Sequence, residues 1–208
     1  MRFRDRRAAG ELLADALRAY ENSDAVVLGL PRGGLIVAAA VAKALGLDLD
    51  VILVAKLGVP GQPELAAAAI GEGGVLVRND DVIAHMGVRE GDLSALEQSA
   101  REELDRRARI FRGDRPRVAV SGRPAIVVDD GIATGATALA ALEVVRAWDP
   151  SQVILAVPVA PGNLDRRITG AADEVVCLHQ PYDFGGVGRW YVDFRPVTTE
   201  EAAAVLPR

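Results

Sequence analysis

The chain has 208 residues, half of them hydrophobic, a formal net charge of −5 and one cysteine. That length and composition support one sizeable core, read as a single domain over residues 1–208, while the negative charge argues against non-specific nucleic-acid binding. One cysteine excludes an internal disulfide framework and suits a reducing, cytoplasmic compartment.

The basic opening "MRFRDRRAAG" leads into a helix from about Arg7 to Tyr20, with Leu12, Leu13, Ala16 and Leu17 on one face. Glu11 and Asp15 fall where a secretory signal needs an uninterrupted apolar segment, and later apolar runs stay well short of the ~18 residues of a membrane span. "AVVLGL" (25–30) reads as a buried strand, "PRGG" as a turn, "LIVAAAVAKALG" as a helix closed by Gly46, and "DVILVAK" (50–56) as a strand ending at Lys56. Residues 57–90 break this rhythm. They read as a flexible loop or hood excursion with little regular structure, containing a hairpin or two short strands with turns at Gly73-Gly74 and Asn79-Asp80. Glu64, Glu72 and Arg78 within it receive no role.

A long helix over about 94–111 follows, with Ser94 and Glu97 as a capping box and Glu102–Arg106 and Glu103–Arg107 as i,i+4 pairs on a solvated face. "PAIVVDD" (124–130) is a strand, 136–148 a helix, 152–160 a strand, 163–172 a shorter helix, 174–178 a last core strand and 198–206 a closing helix. About five parallel strands with helices between them make a doubly wound α/β sheet, whose ligands sit at the carboxyl ends of the strands. Three such ends carry unusual residues: Pro31 to Gly34, Lys56, and Asp129 to Thr137.

In "DDGIATGATALAAL" a buried strand runs into Asp129 and Asp130, and a helix starts near Ala136. The loop aims free N–H groups and the positive end of a helix dipole at one concavity, with Gly135 allowing close approach and Thr134 and Thr137 adding hydroxyls: a site for a phosphate monoester. Two carboxylates beside a phosphate need different partners, such as sugar hydroxyls or a magnesium ion near them. Taken alone, Thr134 would serve equally as an ordinary helix cap. No P-loop and no well-placed dinucleotide fingerprint is present.

The run of apolar residues, Asp-Asp, three variable residues, Thr-Gly, one residue and Thr resembles the phosphoribosyl-pyrophosphate (PRPP) signature of the type I phosphoribosyltransferases. The resemblance implies that Asp129 and Asp130 hold the ribose hydroxyls and that Ala133, Thr134, Gly135, Ala136 and Thr137 hold the 5′-phosphate. It assigns "GLPRGG" (29–34) to pyrophosphate, through Arg32, Gly33, Gly34 and a cis or strained peptide, with Lys56 as a second cation. The expected activity is transfer of the 5-phosphoribosyl group from Mg²⁺-bound PRPP to a nitrogen nucleophile, a nucleobase of nucleotide salvage, by a homodimer that binds neither nucleic acid nor membrane. Arg32, Lys56, Asp129 and Asp130 form the catalytic set.

Residues 180–195 would complete the hood. Tyr182, Phe184, Trp190 and Tyr191 are candidates to stack on the base and Asp193 is a candidate metal contact, although the spacing departs from that of the hypoxanthine-type enzymes. His85, Cys177 and His179 read as ordinary core or surface residues. Two alternatives stay open: a non-catalytic PRPP- or nucleotide-sensing regulator of the same fold, and a phosphotransfer enzyme using Asp129 as nucleophile.

Overall fold

The computed structural model describes residues 1–207 and, within them, every side chain but those of Pro63 and Glu64. The elements run α1 (Arg6–Ala16), β1 (Val26–Gly29), α2 (Gly33–Leu45), β2 (Asp48–Val51), β3 (Val54–Val59), β4 (Gln62–Gly71), β5 (Leu76–Arg78), α3 (Asp80–Met86), α4 (Glu90–Arg112), β6 (Pro124–Val128), α5 (Ala136–Arg146), β7 (Gln152–Val159), α6 (Arg166–Ala171), β8 (Glu174–His179) and α7 (Thr199–Ala203).

Five strands form a parallel sheet in the order β2-β1-β6-β7-β8. Successive residues of its strands point to opposite faces, as pleating requires. Val27, Val51, Ile126, Val128 and Ile154 pack in one core with α1 and α2. Val26, Leu28, Val127, Val153 and Leu155 pack in another with α5 and α6. Both faces are therefore covered, which explains why the strands read as continuous apolar runs. The chain winds outward from β1 to β2 on one side and from β6 through β7 to β8 on the other. The seam between β1 and β6 is thus the switch point of the sheet, where ligands of open α/β folds bind.

Residues 50–56 are not one strand. Ile52 still donates to the Gly29 carbonyl (3.0 Å), but the chain then leaves the parallel sheet and enters a second, antiparallel one, β3-β4-β5. Lys56 consequently stands inside β3 opposite Ala69 rather than at a parallel-sheet rim. The stretch expected to hold little regular structure is largely this small sheet. Its first hairpin turns at Pro60-Gly61, and Gly61 has φ 82°. The turn at Gly73-Gly74 is present, whereas Asn79 caps α3, its side chain accepting from the Val82 N–H at 3.2 Å. The small sheet lies against α4 and α5, and a Cβ on Gly71 would overlap the side chain of Val144.

α4 starts at Glu90, so Ser94 lies inside the helix and caps nothing; Arg89 is the N-cap and Glu90 and Asp92 fill the acidic first turn. The pairs formed on it are Glu97–Arg101 and Glu103–Arg106 rather than the expected ones. At its far end Arg112, 4 % exposed at its side chain, reaches the buried Asp50 of β2 (2.7 Å) and pairs with Glu72 of the small sheet. Asp50 also accepts from the Val118 N–H at 2.9 Å. Glu72 is thereby a structural partner, as is Arg78, which pairs with Glu90 and Asp80. No helix among the described residues is long and apolar enough to cross a membrane.

Candidate functional site

The loops after β1 and β6 meet at the switch point. Gly33 and Gly34 open α2 directly against the acidic pair: a Cβ on Gly33 would overlap Asp130 Oδ2 and come within 2.7 Å of Arg6 Nε. A Cβ on Gly34 would lie 2.8 Å from both Cα and Oδ1 of Asp129. Glycine is needed here because carboxylates fill the space a side chain would take. The Pro31–Arg32 peptide is cis, and Arg32 itself is exposed at the start of α2.

Asp129 and Asp130 follow the last residue of β6. Asp129 Oδ1 accepts from the Asp130 N–H at 2.8 Å. Burial pushes the Asp129 carboxyl up to about 8, with the charge of Asp130 adding to the effect and its hydrogen bond opposing it. Burial raises Asp130 as well, against the hydrogen bond and charge of Arg6. Sequence reading gave Arg6 no role. Its Nε donates to Asp130 Oδ2 at 2.6 Å and its Nη1 to the Arg195 carbonyl at 2.9 Å, while the guanidinium lies 3.9 Å from the ring centre of Phe194. The partner is 124 positions away, and within a basic opening the arginine reads as solvated.

The loop that continues from Asp130 ends at Gly135, the N-cap of α5, held at φ 79°. No side chain caps this helix, so Thr134 is not its cap, and Thr134 and Thr137 are exposed. A Cβ on Gly135 would overlap Ile168 of α6. The first-turn N–H groups of α5 therefore open on a concave surface without a side-chain partner, an arrangement that favours an anion. Thr134, Gly135 and Ala136 line a cavity of about 480 Å³ that Lys56 lines from the small sheet. The structure thus joins Lys56 to the α5 end of the loop, and joins Gly33 and Gly34 to the carboxylates.

The aromatic tail departs from its expected role. Tyr191 is 1 % exposed: its ring packs between Phe3 and Phe194, at 5.4 and 5.0 Å, and its hydroxyl donates to the Asp130 carbonyl at 2.6 Å. Such a ring has no face to offer a base. Trp190 donates its Nε1–H to the Phe184 carbonyl at 2.8 Å and packs edge-on against His179, and Phe184 belongs to the same small core. Of the aromatics named for stacking, Tyr182 alone is fully exposed. Asp193 is exposed and engages the Arg195 N–H at 3.1 Å. Among the described residues, no group of three or more His, Cys, Asp or Glu could hold a metal ion. The Cys177 thiol, raised by burial, contacts the His179 carbonyl, an ordinary strand-end role.

A family model described as "Phosphoribosyl transferase domain" matches residues 5–188. Two curated Mycobacterium tuberculosis proteins, from strains CDC 1551 and H37Rv and each named "Putative phosphoribosyl transferase", are 50 % identical over 206 residues, 99 % of this chain. The chain spans 46 % of their length, less than half of the relatives it matches. The crystal structure of TT1426 from Thermus thermophilus is 48 % identical, covers 99 % of this chain and 98 % of its own, and superposes with a TM-score of 0.91.

Proposed function

Because the chain belongs to the type I phosphoribosyltransferase family, we propose that it transfers the 5-phosphoribosyl group of Mg²⁺-bound PRPP to a nucleobase nitrogen and releases pyrophosphate. One observation carries this reading. At the switch point, a glycine loop lies against two adjacent carboxylates, and the loop beyond them ends in a helix start that no side chain caps.

In this reading Ala133 to Thr137 hold the 5′-phosphate at the N-terminus of α5, and Asp129 and Asp130 accept hydrogen bonds from the ribose hydroxyls. The backbone amides of residues 32–34, with Arg32, face the negative charge that grows on departing pyrophosphate, while Lys56, which lines the cavity beside Thr134 to Ala136, serves the phosphate at the α5 end of the loop. The carboxylates hold C1′ in line with the attacking nitrogen, and their charge suits a cationic ring. The small sheet, with residues 57–90 as hood, closes over the ribose and excludes water. Among the described residues no group of three or more His, Cys, Asp or Glu gathers to hold a metal ion by itself, so in this reading Mg²⁺ enters with PRPP, held mainly by its phosphate oxygens. An acceptor base would stack on Tyr182, whose ring is open.

The sensor reading is favoured by one observation: Tyr191 is buried, which reduces what the tail can offer an acceptor. Pyrophosphate release with PRPP and Mg²⁺ against a panel of free nucleobases, with calorimetric PRPP binding on the same sample, separates the readings. Base-dependent release is the expected result. Binding without release across the panel would favour the sensor, and no binding would overturn both.

A further inference from the structure

We infer that Arg6 is a positioning residue for PRPP, acting through Asp130; this rests on the function proposed above. Of the basic residues that open the chain, Arg4 is 73 % exposed at its side chain and Arg6 only 10 %. The difference begins with Asp5, whose carboxylate caps α1 by accepting from the Ala8 N–H at 2.8 Å and so turns residue 6 inward as the first helical position. Arg6 then meets two separate parts of the molecule, the acidic loop after β6 and the tail. It holds Asp130 Oδ2 at 2.6 Å, binds the Arg195 carbonyl at 2.9 Å, and lies over the ring of Phe194. Its Nε also borders the Cα of Gly33 so closely that no side chain fits between them.

The guanidinium therefore stands on the seam between the loop assigned to pyrophosphate and the carboxylate assigned to ribose. Asp130 is held from two sides: the Tyr191 hydroxyl fixes its carbonyl at 2.6 Å, and Arg6 fixes its carboxylate. Two adjacent carboxylates repel each other and lose hydration on burial, and a cation paired to one of them offsets both effects. Arginine suits this place because its planar fork bonds in two directions at once while its face stacks on Phe194, which a lysine ammonium does not do. A buried ion pair that served only to tie α1 to the tail would not need an acid of the ribose pair as its partner.

The test is PRPP affinity by calorimetry and steady-state kinetics of the wild type, Arg6→Gln, Arg6→Lys and the exposed control Arg4→Gln, each with a thermal melt. Arg6→Gln is expected to weaken PRPP binding and raise the KM for PRPP at least tenfold while the acceptor KM stays within twofold. Arg6→Lys, which keeps the charge, should recover part of that loss, and Arg4→Gln should match the wild type. If Arg6→Gln and Arg6→Lys lower the melting temperature alike and both keep wild-type PRPP affinity, Arg6 is a structural tie and the inference is overturned while the function stands. If the wild type itself does not bind PRPP, the proposed function fails first and takes this inference with it.

Discussion

The Nε of Arg6 and Oδ2 of Asp130 stand 2.6 Å apart across 124 positions of sequence, with side-chain exposures of only 10 % and 16 %. The contact ties the first helix to the loop at the end of the central strand.

Replacing Asp130 by Asn should therefore do more than remove a ligand contact. From the sequence, Asp130→Asn is expected to spare the fold and weaken PRPP use by orders of magnitude. With Arg6 left without its counter-charge a loss of stability is also expected, about 1–3 kcal/mol, because the burial cost that holds the Asp130 carboxyl above its ordinary value is relieved and the Asn carbonyl still accepts from Arg6. Denaturant unfolding beside steady-state kinetics checks both parts. A destabilised variant with unchanged PRPP kinetics would remove Asp130 from the ligand site.

Stability and ligand binding should respond to pH in opposite senses. Burial lifts the Asp129 carboxyl to about 8, above an unfolded value near 3.9. Between these values the folded chain binds more protons than the unfolded one, so this group's contribution to stability declines as pH rises through the interval. PRPP hydroxyls need an ionised acceptor, so affinity should climb over the same range. Asp129→Asn should flatten the melting curve against pH and raise the ligand-free melting temperature at pH 9, by about 2–4 °C for ~1 kcal/mol. Melts from pH 5 to 9, with and without PRPP, measure both trends.

The loop glycines should tolerate nothing larger. Gly33→Ala drives a methyl into Asp130 Oδ2, and Gly34→Ala presses one against Asp129. Each should abolish measurable PRPP binding. Gly170, inside α6 with open space around its Cα, is the control, and Gly170→Ala should be neutral or stabilise by roughly 0.5–1 kcal/mol. Calorimetric titration of the three variants decides the point, and PRPP affinity retained by Gly33→Ala would show that the loop opens away from the carboxylates.

Breaking the Asp50–Arg112–Glu72 network should loosen the small sheet. Arg112→Met removes the cation shared by the buried Asp50 and the part-buried Glu72, and because Asp50 keeps Arg115 and the Val118 N–H the loss is expected at the low end, about 3 kcal/mol. Amide exchange should accelerate in residues 66–78 and change less in β7, which the network does not touch. Uniform acceleration would mean that the two sheets unfold as one unit.

Where apolar runs bounded a buried strand, the sequence was sufficient. β1, β6, β7 and β8 all lie where the runs predict them, and the Asp129–Asp130 loop lands at the switch point because it follows the central strand. Reading failed where one run served two structures. "DVILVAK" is continuous in hydropathy, yet the chain changes sheets between Val51 and Val54, which moves Lys56 to another surface. Asn79-Asp80 has turn chemistry and helix-cap chemistry alike, and only the two acids of the following turn hint at the helix. Arg6 and Tyr191 were illegible for a different reason. Their partners lie far along the chain, and nothing local marks a buried arginine among exposed ones or a buried tyrosine among aromatics near a surface.

Phe3 lies in register with Tyr191, donating to the Trp190 carbonyl and accepting from the Val192 N–H, each at 2.8 Å. During synthesis, residues 3–6 leave the ribosome long before the segment that receives them. At about 5–20 residues per second, Arg6 waits roughly 10–40 s for Tyr191 and Arg195. The parallel sheet has all its strands by residue 179, so the clasp around Asp130 is a late event, closed only after the scaffold beneath it exists. A nascent chain that carries the complete sheet still lacks the clasp.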